Sequence, residues 1–193
     1  MFFIQPMRKC LKLMYNQLKY KWVFWFDKPE LKTSNENWDQ FLIKITSFKE
    51  IEEFWSLFNR ILLPSQLQSG VNFHFFKSGI EPKWEDPCNA DGGKWMLTIP
   101  KQHNLLINSI WEKTIAIIIG GQIDEIGTDS INGVVLSVRK KIIKIAIWTR
   151  HSVNKKTQLE IGKYWKKIIR EDCSRKNLTI EYFPHVNFIN KII

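Results

Sequence analysis

Residues 144–148 read Lys-Ile-Ala-Ile-Trp, and this alternation constrains the fold more than any other stretch of the chain. Successive side chains of an extended strand point to opposite faces, so Lys144, Ala146 and Trp148 share one face and Ile145 and Ile147 the other. Val134–Arg139, just before it, is strand-like too, and the two stretches predict a hairpin. The same period recurs in Leu18–Phe26, where Trp22, Phe24 and Phe26 lie on one face and Trp25 on the other. Phe41–Phe48, Asn72–Phe76, Lys94–Ile99 and Leu178–Tyr182 read as further strands. Three helices interrupt them. A capping box at Ser47 and Glu50 starts the first, in which Ile51, Phe54, Trp55, Phe58 and Ile61 follow a helical period. Gln102–Ile119 is the second, stopped by Gly120 and Gly121, and Lys155–Arg170 is the third. Many strands with antiparallel neighbours and few helices predict an α+β fold. Its helices pack on one face of a sheet whose opposite face stays open.

A chain of 193 residues and 23.0 kDa has room for one core, so residues 18–193 are expected to form a single domain after an N-terminal extension, 1–17. An excess of 29 basic over 19 acidic residues, net +10, favours anionic partners such as nucleic acid or nucleotide phosphates. Cys10, Cys88 and Cys173 are far apart and odd in number, which supports neither a zinc site nor a disulfide framework. A soluble protein of a reducing compartment, cytoplasmic or nuclear, is the expectation. Met1–Ile4 is too short for a signal-peptide core, and the run Ile115–Ile119 is far short of a membrane span.

Enzyme signatures are missing. There is no phosphate-cradling glycine loop, no dinucleotide fingerprint and no nucleophile elbow. His74, His103, His151 and His185 lack metal-ligand spacing, and no cofactor is implied. Asp124, Glu125 and Asp129 read as a solvated acidic loop. The aromatic residues say more. Trp38 and Trp84 fall in loops, although a structural tryptophan belongs in the interior of an element. Glu85 and Asp86 follow Trp84 directly. Two tryptophans and a carboxylate suit a planar cationic ring, sandwiched on its faces and hydrogen-bonded at its edge. The alternative is that both tryptophans pin loops to the core.

Several blocks together resemble the translation initiation factor 4E family, which binds the messenger RNA 5′ cap. They are Trp22-Val23-Phe24-Trp25-Phe26, Trp38, Glu53-Phe54-Trp55, the run Phe76-Lys77-Ser78-Gly79-Ile80-Glu81-Pro82-Lys83-Trp84-Glu85-Asp86, Gly92-Gly93-Lys94-Trp95, Val138-Arg139 and Lys144–Trp148. The resemblance implies a curved antiparallel sheet with three helices on its convex back and the cap in its concave face. It implies that Trp38 and Trp84 stack on 7-methylguanine, that Glu85 accepts from the base edge, and that Trp148 touches the N7-methyl group. Arg139, Lys144 and Lys94 would bind the phosphates. Lys141 matches a further family lysine, although its parity against Lys144 speaks against that role.

The departures from the family are as informative. Lys94 stands where the family has arginine, keeping the charge without the planar fork. Ile142 and Ile143 occupy a hairpin turn that is usually polar, and are expected to be exposed there. The chain runs 11 residues past Tyr182, where the family has a longer loop, so that part of the site is expected to be shortened. On the back face, the resemblance implies a helical peptide of a 4G-like scaffold or a 4E-binding protein, held near Trp55 and Ile51. Both residues read equally well as the buried face of the first helix. Lys113 replaces a partner-holding carboxylate, Ala116 an apolar contact, and Asn16-Gln17-Leu18 an upstream His-Pro-Leu. A divergent or weakly bound partner is the expectation. The functional reading is a monomeric, non-enzymatic cap-binding translation factor. Its alternatives are a cap-binding repressor, a cap-processing enzyme and a general single-strand RNA module.

Overall fold

A computed structural model describes residues 16–27, 41–127, 129–170 and 178–185. Trp38, Cys10, Cys173 and most of the N-terminal extension lie outside the described residues. Among the described residues seven strands form one antiparallel sheet: β1 (Gln17–Asp27), β2 (Ile43–Glu50), β3 (Asn72–Lys77), β4 (Gly93–Pro100), β5 (Ile131–Val138), β6 (Ile142–Thr149) and β7 (Ile180–Pro184). Their spatial order is β2-β1-β3-β5-β6-β4-β7. The helices are α1 (Ile51–Phe58), the single-turn α2 (Pro87–Ala90), α3 (Asn104–Ile119) and α4 (Lys155–Ile168). The α+β architecture is as expected, with α2 an addition inside the loop after Trp84.

Strand parity divides the sheet into two faces. Trp22 and Phe24 of β1, Phe73 and Phe75 of β3, Leu97 and Ile99 of β4, and Ile145 and Ile147 of β6 enter one core with the helices. A smaller cluster on the opposite face holds Phe76, Val135, Ala146 and Trp148, with Trp84 and Cys88 packed against it. Register ties the two β4–β6 rows together, pairing Lys94 with Trp148 and Thr98 with Lys144. Two glycines allow close approach. A Cβ on Gly162 of α4 would lie 2.5 Å from the Trp95 ring, so the helix seats on β4 only without one. A Cβ on Gly133 would meet the Phe76 ring at 2.5 Å, which lets Phe76 lie flat across β5. Behind the sheet, Trp165 Nε1 of α4 donates to Thr114 Oγ1 of α3 at 2.8 Å, so the buried indole is satisfied.

Local expectations fail in four places. Helix α1 is capped one turn later than Ser47, which belongs to β2. Glu53 accepts from the backbone N–H of Lys49 at 2.9 Å and of Glu50 at 3.3 Å. Strand β2 therefore runs two residues further than the apolar pattern, and β7 is likewise displaced toward Pro184. Ile142 and Ile143 are not an exposed turn: both belong to β6, and Ile143 is 0% exposed in the core. The acidic loop is solvated only in part: Glu125 is exposed, but the two aspartates are engaged. Asp124 is buried and accepts from Lys77 Nζ at 2.9 Å, and Asp129 accepts from Lys77 at 3.1 Å and pairs with Arg150 at 2.7 Å. Lys77 also sits 3.7 Å from the centre of the Tyr20 ring. A buried lysine needs a countercharge, and only the folded chain brings one from 47 residues away.

Candidate functional site

Trp84 and Glu85 stand on the β3–β4 connection, which is held by its own hydrogen bonds. It opens with a turn at Gly79, whose φ of 90° favours glycine. Asp86 caps α2, accepting from Cys88 N–H at 2.8 Å through one oxygen and from Glu81 N–H at 2.8 Å through the other. Asn89 is the hub. Its amide donates to the carbonyls of Glu81 and Lys83, both at 2.8 Å, and its side-chain oxygen accepts from Asn132 Nδ2 at 2.9 Å. Lys83 and Glu81 pair at 2.7 Å. The bracing leaves Trp84 half-buried against the concave cluster and Glu85 exposed, with its carboxylate open to a ligand.

Trp148 lies at the centre of the concave cluster. Phe76 meets it edge-on, with ring centres 5.5 Å apart, and the His185 ring lies 4.5 Å away. Lys94 Nζ is 5.6 Å from its ring centre. Burial, and secondarily the nearby Lys144 ammonium, hold Lys94 below the usual lysine range. Lys94 and Lys144 lie on the same face of neighbouring strands, four residues apart along the ladder, so that face carries two cations. Arg139 joins them from the end of β5. Its Nη1 donates to Asn72 Oδ1 and to the Val138 carbonyl, both at 2.9 Å, which orients the guanidinium in advance. Lys141 is exposed in the turn between β5 and β6, off the strand row that holds Lys144.

The fold brings Trp84, Trp148, Lys94, Lys144 and Arg139 to one side of the sheet, with Glu85 beside Trp84; strand parity predicts this for Lys144 and Trp148, and the family resemblance implies it for the others. The back-face residues lie elsewhere. Ile51 is 36% exposed at the start of α1, and Trp55 is half-buried, its ring 4.9 Å from Phe54 and 5.7 Å from Phe58. Lys113 and Ala116 are half-buried on α3.

Sequence reasoning missed Asn89, His185 and the pair Asp27–His74. His185 Nδ1 lies 2.8 Å from the Asn89 carbonyl, which can only accept, so Nδ1 carries the proton. Burial holds this imidazole below the usual histidine range. The Asn89 bond opposes the shift and Lys94 adds to it. The ring is therefore neutral around pH 7. Asp27 Oδ1 and His74 Nε2 are 2.8 Å apart in the buried concave floor, and Asp27 is the last residue of β1 before the stretch that carries Trp38. Asp27 Oδ2, His74 Nδ1 and the nearby Trp25 Nε1 are buried without a hydrogen-bond partner. The only signal for these groups in the sequence is their parity with Trp25.

A braced aromatic and an exposed carboxylate beside paired cations, on the open face of a helix-backed antiparallel sheet, define a binding domain for a planar, anion-bearing ligand. The chain belongs to the eukaryotic initiation factor 4E family, whose profile matches residues 17–192. It is 44% identical over 155 residues to eukaryotic translation initiation factor 4E-1 of Prunus domestica, covering 79% of this chain and 64% of that protein. It is 42% identical over 154 residues to isoform 4E of Nicotiana tabacum, covering 80% and 75%. Among solved structures it resembles Ascaris suum eIF4E-3 in complex with the m7G cap, with TM-score 0.79, 32% identity and coverage of 89% and 92%. It also resembles C. elegans eIF4E-3 in complex with the 4E-binding protein Mextli, with TM-score 0.79, 31% identity and coverage of 90% and 95%.

Proposed function

We infer that this chain binds the 7-methylguanosine 5′ cap of mRNA in the concave groove and recruits that mRNA for translation initiation. Trp84 stacks on one face of the methylated base and Trp38 on the other. Glu85 accepts from N1–H and the exocyclic amine, the Trp84 backbone N–H donates to O6, and Trp148 touches the N7-methyl group. Lys94, Lys144 and Arg139 take the phosphates. Methylation at N7 gives the base a delocalised positive charge, and a desolvated cation–π contact is worth about 2 kcal/mol. Two fully desolvated faces would approach a thousandfold, and two partly solvated ones supply a preference of about a hundredfold or more over unmethylated guanine. The observation that carries this reading is the braced Trp84–Glu85 pair packed beside Trp148 and the Lys94–Lys144 cations. Tryptophan fluorescence titrated with 7-methyl-GTP and with GTP tests it. Strong quenching by the methylated nucleotide and about a hundredfold weaker response to GTP is the expected result, and equal weak binding of both would overturn it. The cap is bound and not processed, so 7-methyl-GTP recovered after incubation should be intact.

A second reading keeps the cap site and changes the outcome. Lys113 and Ala116 on α3 alter the surface that the family offers to a helical peptide, and this favours a cap-binding repressor that fails to engage a 4G-like scaffold. A standard scaffold peptide binding at micromolar affinity or better supports the initiation role. Its failure to bind, with the cap still held, supports the repressor.

A further inference from the structure

We propose that the solvent face of α4 is an electrostatic track for the RNA chain behind the cap. Lys155, Lys156, Lys163, Lys166 and Lys167 are all exposed on α4, Leu159 is the exposed apolar residue among them, and Arg170 is exposed just past the C-cap Ile169. At 100° per residue, the positions on α4 fall within about 120° of one another around the axis, and Lys155 to Lys167 spans about 18 Å. None of the six basic residues takes part in an ion pair among the described residues. Within the helix Glu160 is the one acidic residue, and it is half-buried.

Part of the stripe works against the helix that carries it, although Lys166 and Lys167 suit the last turn, where the dipole favours cations. Lys155 and Lys156 occupy the first turn, which has no acidic residue, so they oppose the positive end of the helix dipole. Lys163 repels Lys166 and Lys167 at spacings of three and four. A polyanion lying along the face removes both penalties.

The topology supplies the route. Helix α4 lies directly behind β4: Trp95 Nε1 donates to the Gln158 carbonyl at 3.0 Å, and Gly162 packs on the Trp95 ring. Lys94, the next residue along β4, faces the groove on the other side of the sheet. Among the described residues β7 alone lies outside β4, so one described strand separates the phosphate end of the groove from the stripe. A chain leaving the groove rounds that edge and meets α4 within a few nucleotides. Exposed Glu181 on β7 makes the edge itself less attractive than the helix beyond it. The track lacks stacking aromatics, so it is indifferent to sequence. The proposal rests on the cap-binding reading only for how RNA arrives.

The probe is fluorescein-labelled 20-nucleotide oligouridine without a cap, followed by anisotropy with the full chain at 50 and 200 mM salt. Six neutralised phosphates give a log–log salt slope of about −4, a loss of about 250-fold across that range. The variant Lys163→Gln/Lys166→Gln/Lys167→Gln should halve the slope, to about −2. Saturating 7-methyl-GTP should leave oligouridine bound, and the variant should keep the 7-methyl-GTP affinity of the parent. Displacement by 7-methyl-GTP, an unchanged slope in the variant, or tighter binding of polyglutamate than of oligouridine would each overturn the track. The last result would assign the face to an acidic protein. Salt-sensitive oligouridine binding in a chain that ignores 7-methyl-GTP would retain the track and refute the cap reading.

Discussion

The two faces of the sheet are made by the same strands and obey opposite rules. Toward the helices, Phe75, Leu97, Val134 and Ile145 are 0% exposed, and each fully buried side chain of this kind contributes about 1.5–3 kcal/mol. Toward the groove, the same strands carry Asn72, His74, Lys94, Lys144 and Trp148, with polar atoms of the His74–Asp27 pair buried and unpaired and two lysines set against each other. The convex face is mainly apolar and serves folding, although Trp22 Nε1 is buried there without a hydrogen-bond partner and Lys77 is buried against Asp124. The concave face tolerates unfavourable contacts that a ligand can relieve. Alternation along a strand makes this division possible, because neighbouring residues can serve different ends without sharing space.

Mutations on the two faces should therefore fail differently. The largest effect is expected for Trp22→Ala on the convex side. Trp22 is 0% exposed, and emptying such a site costs about 3–5 kcal/mol of stability, read as a lowered urea midpoint. The molecules that remain folded should bind 7-methyl-GTP within about twofold of the parent. Trp84→Ala should do the reverse. Its stacking contribution of about 1–3 kcal/mol, together with the charge preference, should vanish from the fluorescence titration, about a hundredfold in affinity. The urea midpoint should move little, because the ring is only half-buried. A large stability loss in Trp84→Ala would erase the distinction between the faces.

Asn89→Ala sharpens the comparison, because Asn89 is a buried residue that serves the groove. Losing its bonds to Glu81, Lys83 and Asn132 should cost about 2 kcal/mol of stability. The Trp84–Glu85 loop would lose its internal brace, and 7-methyl-GTP affinity should fall about tenfold. An unchanged affinity would show that the loop is stiff without it.

The smallest effects are protonic. His185 has a folded pKa below its unfolded value of about 6.5. Below pH 6.5 the unfolded chain takes up a proton that the folded chain refuses, so stability falls as pH drops from there toward the folded pKa. Above pH 6.5 this site has no effect. His185→Gln should flatten that part of the curve of urea midpoint against pH. Lys94 is likewise depressed below 10.5. A phosphate brought beside it raises its pKa again, so binding 7-methyl-GTP on the alkaline side of neutrality should take up protons. Calorimetry in buffers of different ionisation enthalpy detects that uptake, and Lys94→Gln should remove it.

Two kinds of information met in this molecule. The period of two is a property of the local backbone. The partition of Lys144 and Trp148 from Ile145 and Ile147 was therefore legible in the order of the residues alone, and so were the hairpin and the open-faced α+β fold. Trp84 and Glu85 stood out in a glycine- and proline-rich loop, but that placement alone left open a tryptophan pinning its loop to the core, and their assignment to a ligand rests on the family resemblance. Ile143 misled because strand boundaries depend on which neighbour supplies the hydrogen bonds, and β4 pairs with β6 as far as Ile142. The buried Lys77–Asp124 pair, the His74–Asp27 pair and the His185–Asn89 bond join residues 47, 47 and 96 positions apart. No local pattern encodes such separations. Strand order decides them, by setting β3 between β1 and β5 and β4 between β6 and β7, and so decides which polar groups leave water together.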